Sequence, residues 1–347
     1  MTISKATVLG AGGGGRASAF QLLEHGLHVT LWEHPDFAAN LDDLGDAGFA
    51  TTTSLASAIN GAELIVACVQ RPMHHYLATE LPRLMRADQM LLLNPGSLGG
   101  ALEIGEAFRQ QGRPRPLLAE TSTLTHCARP VPGGVRVTLH VEHVRFAALP
   151  ASQTETMLQA VKPFYPFLVP AHSVLETGLY NGNPVLHPAI ALLNAANIER
   201  NDGSFRFYGD GMSPAVARLI EQVDTERQSL ARAFGFDLIP EPVLSHLQGY
   251  ADSDDYLACY RDSAVFGPLT APNTLDHRYM HEDVGEGLIT WLALAEVAGL
   301  KLPTIEAIVR LAEVATGRDY TANKPRRLEQ LGLQGLSLED MVNFVRD

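Results

Sequence analysis

The chain has 347 residues, 46% apolar and 19% charged, with 39 acidic groups against 26 basic ones and a net charge of −13. That length suits two domains of roughly 150 residues each. The composition excludes a largely disordered chain. The acidic surplus argues against nucleic acid or an anionic membrane as the main partner, although one local arginine can still bind a carboxylate.

Cys68, Cys127 and Cys259 stand far apart and form no CxxC, so neither a disulfide framework nor a zinc knuckle is expected. No stretch reaches the ~18 uncharged apolar residues of a membrane span. Ser4 and Lys5 lead into an apolar run and glycines rather than a signal peptide. These features point to a cytoplasmic protein.

In chain order, residues 7–9 are a short apolar run, residues 10–15 a glycine cluster, and residues 16–25 a helical pattern. Residues 27–32 alternate around Val29 and Leu31 as a second strand, and further apolar runs lie at 63–69, 90–93 and 116–119. Strands alternating with helices predict a parallel sheet covered on both faces. Residues 135–141 and 144–149 read as two more strands, paired as a hairpin. From Pro184 onward the spacing is helical, over 186–198, 214–234, 285–298 and 304–315. Pro184 suits a helix start, and Gly235 and Gly299 suit helix stops. The expected fold is α/β: a dinucleotide-binding domain over 1–180, then an all-helical domain over 181–347.

Gly10-Ala11-Gly12-Gly13-Gly14-Gly15 fits G-x-G-x-x-G between the first strand and the first helix. Gly10 permits the tight turn, and Gly12 and Gly13 let backbone approach a pyrophosphate at the helix N-terminus. Gly15 lets helix and strand pack closely. Glu33 ends the second strand, where an acid accepts hydrogen bonds from a ribose diol and repels a 2′-phosphate. The expected cofactor is therefore NAD(H), with NADP(H) left open by His34 beside it.

Two later clusters carry chemistry. In Asn183-Pro184-Val185-Leu186-His187-Pro188, placed at the expected domain junction, Asn183 and His187 are four apart and share a helix face. A histidine there suits proton transfer near neutral pH. In Arg278-Tyr279-Met280-His281-Glu282-Asp283, Asp283 could orient His187 and Arg278 could clamp a substrate carboxylate. Without context a packed helix histidine is the better reading of His187, and composition and spacing leave the roles of Asp283 and Arg278 level with a surface ion pair before a helix. His74-His75 and the i,i+4 pair His277 and His281 lack a third ligand, so no metal is expected.

Taken together, the motifs resemble the NAD-dependent octopine/opine dehydrogenase family over nearly the whole chain. The carriers are the glycine loop, Glu120-Thr121-Ser122, Asn183-Pro184 with His187-Pro188, Tyr208-Gly209-Asp210-Gly211, Glu226-Arg227, Arg278-Tyr279 with Glu282-Asp283-Val284, and Leu328-Glu329 with Leu331-Gly332. The resemblance implies a Rossmann domain followed by a helical opine-dehydrogenase domain, commonly in a homodimer. It also implies reductive condensation of a 2-oxo acid with the amino group of an amino acid or amine.

His187 then resembles the family's catalytic histidine, Asp283 its carboxylate partner, and Arg278 the arginine on the oxo-acid carboxylate. Asn183, Ser122 and His126 are the further substrate-binding candidates. The sequence departs from the family where His281 replaces threonine, Gly285 replaces proline, and Leu124-Thr125-His126 replaces Leu-Pro-Tyr. These changes bear on the amine pocket. Two other functions fit the glycine loop: a simple ketone reductase of the ketopantoate-reductase type, and a nucleotide sensor without turnover. The first lacks an obvious catalytic lysine, and the second has no need of a His, Asp and Arg set.

Overall fold

A computed structural model describes residues 3–45 and 47–347 of the chain. The chain forms two compact units, Met1–Gly178 with Phe344–Asp347, and Leu179–Asn343.

The first unit is built on strands β1 (Lys5–Leu9), β2 (His28–Trp32), β3 (Ala50–Thr52), β4 (Leu64–Ala67), β5 (Met90–Leu93), β6 (Leu117–Thr121), β7 (His126–Val131), β8 (Gly134–His140), β9 (Val144–Leu149) and β10 (Leu168–Pro170). Eight of them form one sheet in the order β10-β9-β6-β5-β4-β1-β2-β3. Pairing is parallel throughout except between β6 and β9. β4 and β5 are buried at every position, as strands covered on both faces require. Helices such as Gly13–Glu24, Arg71–Leu84 and Gly100–Gln110 make the crossovers.

The expected hairpin of 135–141 with 144–149 is not formed. β8 pairs instead with β7 in a separate two-stranded ribbon, while β9 joins the main sheet against β6. Burial explains the choice. β8 has no buried residue, as in a surface ribbon, whereas β9 is buried at all but one position and belongs in a covered sheet.

In the second unit every named element is a helix. The long helix Pro214–Ala233 packs with Ile289–Val297 and Pro303–Thr316 around buried Trp291. Two expected helices differ from the sequence reading. The run 186–198 is two helices, Asn183–Leu193 and Ala195–Arg200, divided at Asn194, whose side-chain amide donates to the carbonyls of Ile190 and Gly211. The run 285–298 begins earlier, in a π-helical turn Asp283–Leu288, before the regular helix Ile289–Val297. Such wide turns inside helices often mark functional sites. A side chain at Gly287 would come within 2.6 Å of Pro184 Cγ, so glycine lets this turn lie against the start of helix Asn183–Leu193.

Candidate active site

In the first unit the glycine loop has the shape a dinucleotide needs. Gly10 has φ +100°, a left-handed backbone that favours glycine. A Cβ on Gly15 would fall 1.7 Å from the Gly10 carbonyl oxygen, so only glycine lets helix Gly13–Glu24 start this close to β1. A Cβ on Gly12 would meet nothing within 4 Å. Gly12 is also the N-cap of that helix and no side chain caps it, so no cap takes the first N–H groups, which suit a phosphate oxygen. Gly13, by contrast, lies against the Ala128 carbonyl, where a Cβ would come within 2.3 Å.

Glu33 is only 6% exposed. Its Oε2 accepts from the Ala11 N–H at 2.9 Å and from Asn40 Nδ2 at 3.0 Å, and its Oε1 accepts from the His34 N–H at 2.8 Å. Three donors on a carboxylate with about four acceptor sites leave one for a ribose hydroxyl. Arg16 ties the same loop down from below, donating to the Ala11 carbonyl and pairing with Asp43 at 2.8 Å.

Ser122 and His126 lie at the C-terminal end of β6 and the start of β7, both buried. His126 Nδ1 meets Thr125 Oγ1 at 2.9 Å, and burial with nearby His140 pushes the imidazole down to about 4.

In the second unit the π-helical turn brings Asp283 to helix Asn183–Leu193. His187 Nδ1 lies 2.7 Å from Asp283 Oδ2, with the two residues 6% and 2% exposed. The carboxylate can only accept, so Nδ1 carries the proton and Nε2 is left as an acceptor. Tyr208 Oη lies 2.9 Å from Nε2 and donates to it. Tyr279 stacks on the His187 ring with centroids 3.8 Å apart. Burial, reinforced by Tyr279 and Asp283, holds the Tyr208 phenol well above its ordinary range, so it stays a neutral donor.

Arg278 Nε donates to Glu282 Oε2 at 3.1 Å, one turn along. Burial works against its charge, but the carboxylates of Glu282 and Asp283 outweigh that and raise its pKa. The Arg278 side chain is 37% exposed, so part of it can be reached by an anion from solvent. Asn183 opens the helix, its N–H donating to Asn181 Oδ1. Of the residues singled out by sequence in this unit, His187, Asp283 and Arg278 thus share one neighbourhood. Tyr208 and Tyr279 were visible only as parts of motifs, because nothing in their spacing says they touch a histidine.

Among the described residues no group of three or more His, Cys, Asp or Glu is arranged to hold a metal. His281 is bound at both nitrogens, to Asp276 and Tyr320, and His75 pairs with Glu103. Among the described residues no helix is long and apolar enough to cross a membrane.

Comparison with known proteins adds to this geometry. Residues 170–316 match the family described as NAD/NADP octopine/nopaline dehydrogenase, alpha-helical domain. The chain is 32% identical to an opine dehydrogenase of Arthrobacter sp. (strain 1C), over 95% of each chain. It superposes on a solved octopine dehydrogenase in complex with NADH and agmatine with a TM-score of 0.78, at 17% identity and 98% coverage of both chains. It also superposes on a yersinopine dehydrogenase bound to NADP+, with a TM-score of 0.70 at 15% identity, covering 99% of this chain and 98% of that one. The two structural likenesses share the fold of this chain.

Proposed function

The chain belongs to the octopine/opine dehydrogenase family of oxidoreductases, and on that premise we propose that it condenses a 2-oxo acid with the amino group of an amino acid or amine and reduces the product with NADH. The buried His187–Asp283 pair beside an accessible Arg278 carries this reading.

The residues of the first unit fit a dinucleotide. Gly12 and the uncapped helix start would hold the pyrophosphate, and Glu33 the adenosine ribose. A buried carboxylate at the ribose disfavours a 2′-phosphate, so NAD(H) is preferred, with NADP(H) a weaker alternative. The bound dinucleotide supplies the hydride that reduces the imine carbon.

The chain's own groups supply position and protons. Arg278 holds the carboxylate of the 2-oxo acid with parallel charge-assisted bonds. The amine adds to the ketone carbon, and the resulting carbinolamine loses its hydroxyl as water when a proton is delivered to it. His187 carries protons from the attacking nitrogen to the departing oxygen, and one proton from solvent returns to that nitrogen when the carbon is reduced. Asp283 keeps the ring in its Nδ1–H form and stabilises it when it is cationic. Since Tyr208 occupies Nε2 at rest, substrate must displace that hydroxyl or hydrogen-bond through it. Asn183, one turn before His187, is the candidate for a further substrate contact in the second unit, and Ser122 and His126 are the candidates for ligand contact in the first.

The test is NADH oxidation with a 2-oxo acid in the presence and absence of a panel of amino acids and amines. Oxidation that depends on the amine supports the reading; equal oxidation without amine replaces it with simple ketone reduction.

A further inference from the structure

Two buried polar groups on the segment leaving β6 have no hydrogen-bond partner among the described residues, namely Ser122 Oγ and His126 Nε2. Each residue is only 2% exposed. Buried groups of this kind are rare in native proteins and usually meet a ligand or a water.

The surrounding network fixes which kind of group His126 presents. The Thr125 N–H donates to Asn94 Oδ1 at 3.0 Å, which sets the orientation of that amide. Asn94 Nδ2 must then donate to Thr125 Oγ1 at 2.7 Å. The proton of the Thr125 hydroxyl has one acceptor left among the described residues, His126 Nδ1 at 2.9 Å. Nδ1 therefore accepts, and the neutral ring carries its proton on Nε2. Burial keeps the ring neutral, and His140 packs edge-on against it at 5.1 Å. His126 Nε2–H is thus a fixed donor that cannot accept.

Its location points to a ligand. The same segment packs on the glycine loop: a Cβ on Gly13 would come within 2.3 Å of the Ala128 carbonyl, and one on Gly14 within 2.7 Å of Leu124 Cδ2. β6 runs in the same direction as β1 through β5 and β4, so its C-terminal end lies on the edge where the glycine loop begins. Open α/β sheets bind their ligands at that edge.

We propose that His126 Nε2–H, assisted by the Ser122 hydroxyl, forms a subsite for an acceptor oxygen of a bound ligand, a carboxamide or carboxylate oxygen. A guanidinium or ammonium group, which only donates, finds no acceptor at this imidazole. The inference rests on the dinucleotide-dependent reading above. In that reading Arg278 holds the carboxylate of the 2-oxo acid, which leaves two molecules with such an oxygen: NADH on its carboxamide, and an amino-acid donor on its carboxylate.

The test uses wild type, His126→Leu, which removes the donor, and His126→Gln, which restores an N–H. NADH is titrated into each by fluorescence, and NADH-loaded protein is then titrated with L-leucine and with isopentylamine, its decarboxylated twin. A carboxamide at the subsite predicts NADH binding weakened roughly 3- to 10-fold in the Leu variant and largely restored in Gln. A carboxylate predicts unchanged NADH binding, with leucine weakened about 10- to 100-fold and isopentylamine unaffected. If the Leu variant melts like wild type and neither constant moves, the proposal is overturned.

Nitrogen NMR of the histidine rings in the wild-type protein provides a readout that needs no variant. A proton found on Nδ1 of His126 overturns the proposal just as directly. Lack of turnover with any amine would defeat the opine reading, while the NADH titration and the NMR would still decide this one.

Discussion

Replacing Asp283 by Asn probes the proton-transfer unit with one change of charge and almost none of volume. The carboxylate sits 2.7 Å from His187 Nδ1, and both residues are buried. At an effective dielectric of about 20, an imidazolium and a carboxylate at that distance attract by about 6 kcal/mol before desolvation is counted. An amide supplies none of this attraction. It can also turn its NH2 toward Nδ1, which would move the ring proton to Nε2, the nitrogen needed as acceptor.

General acid–base assistance typically contributes 10²- to 10⁴-fold, or about 3–5 kcal/mol of barrier, which fits within the lost attraction. Asp283→Asn should therefore lower kcat by about 10²- to 10⁴-fold in steady-state NADH oxidation. The dissociation constant for NADH should stay within about twofold of wild type, because the glycine loop is untouched. A variant that turns over within about threefold of wild type would refute the argument and leave the His187–Asp283 pair as packing.

Three other perturbations test separate parts of the account. Arg278→Ala should lower kcat/KM for the 2-oxo acid by roughly 10- to 200-fold, and Arg278→Lys should raise the KM, since lysine lacks the planar fork; unchanged kinetics would remove the carboxylate-clamp assignment. Glu33→Ala should narrow the preference for NADH over NADPH in paired kinetics. It should also lower stability by about 1–3 kcal/mol in denaturant melts, because the Ala11 N–H loses its acceptor; an intact preference removes the ribose assignment. Gly12→Ala should melt like wild type, since its Cβ meets nothing within 4 Å, yet bind NADH at least about 10-fold more weakly; normal binding would mean the pyrophosphate lies elsewhere.

Much of this site was legible in the sequence, for reasons that differ residue by residue. The glycine loop could be read because its glycines answer local demands, a left-handed turn at Gly10 and a close approach at Gly15. The position of Glu33 could be read from spacing, but its grip on the Ala11 N–H could not, because that contact depends on how the loop folds back. His187 and Asp283 are 96 residues apart, so only the family's motifs linked them. The π-helical turn that joins them was hidden, because periodicity analysis assumes 3.6 residues per turn. The pairing of β8 with β7 was missed because alternation marks a strand without naming its partner. The orphan N–H of His126 is set by Asn94, which follows β5 and lies 32 residues earlier in the chain, so no local pattern reveals it.

The most direct measurement follows the hydride. NADH deuterated at the reactive nicotinamide carbon is supplied with a 2-oxo acid and an amino donor, and the products are weighed by mass spectrometry. The expected product is an N-substituted amino acid carrying one deuterium on the former keto carbon, formed only when the amine is present. A deuterated 2-hydroxy acid, with the amine recovered unchanged, would contradict it.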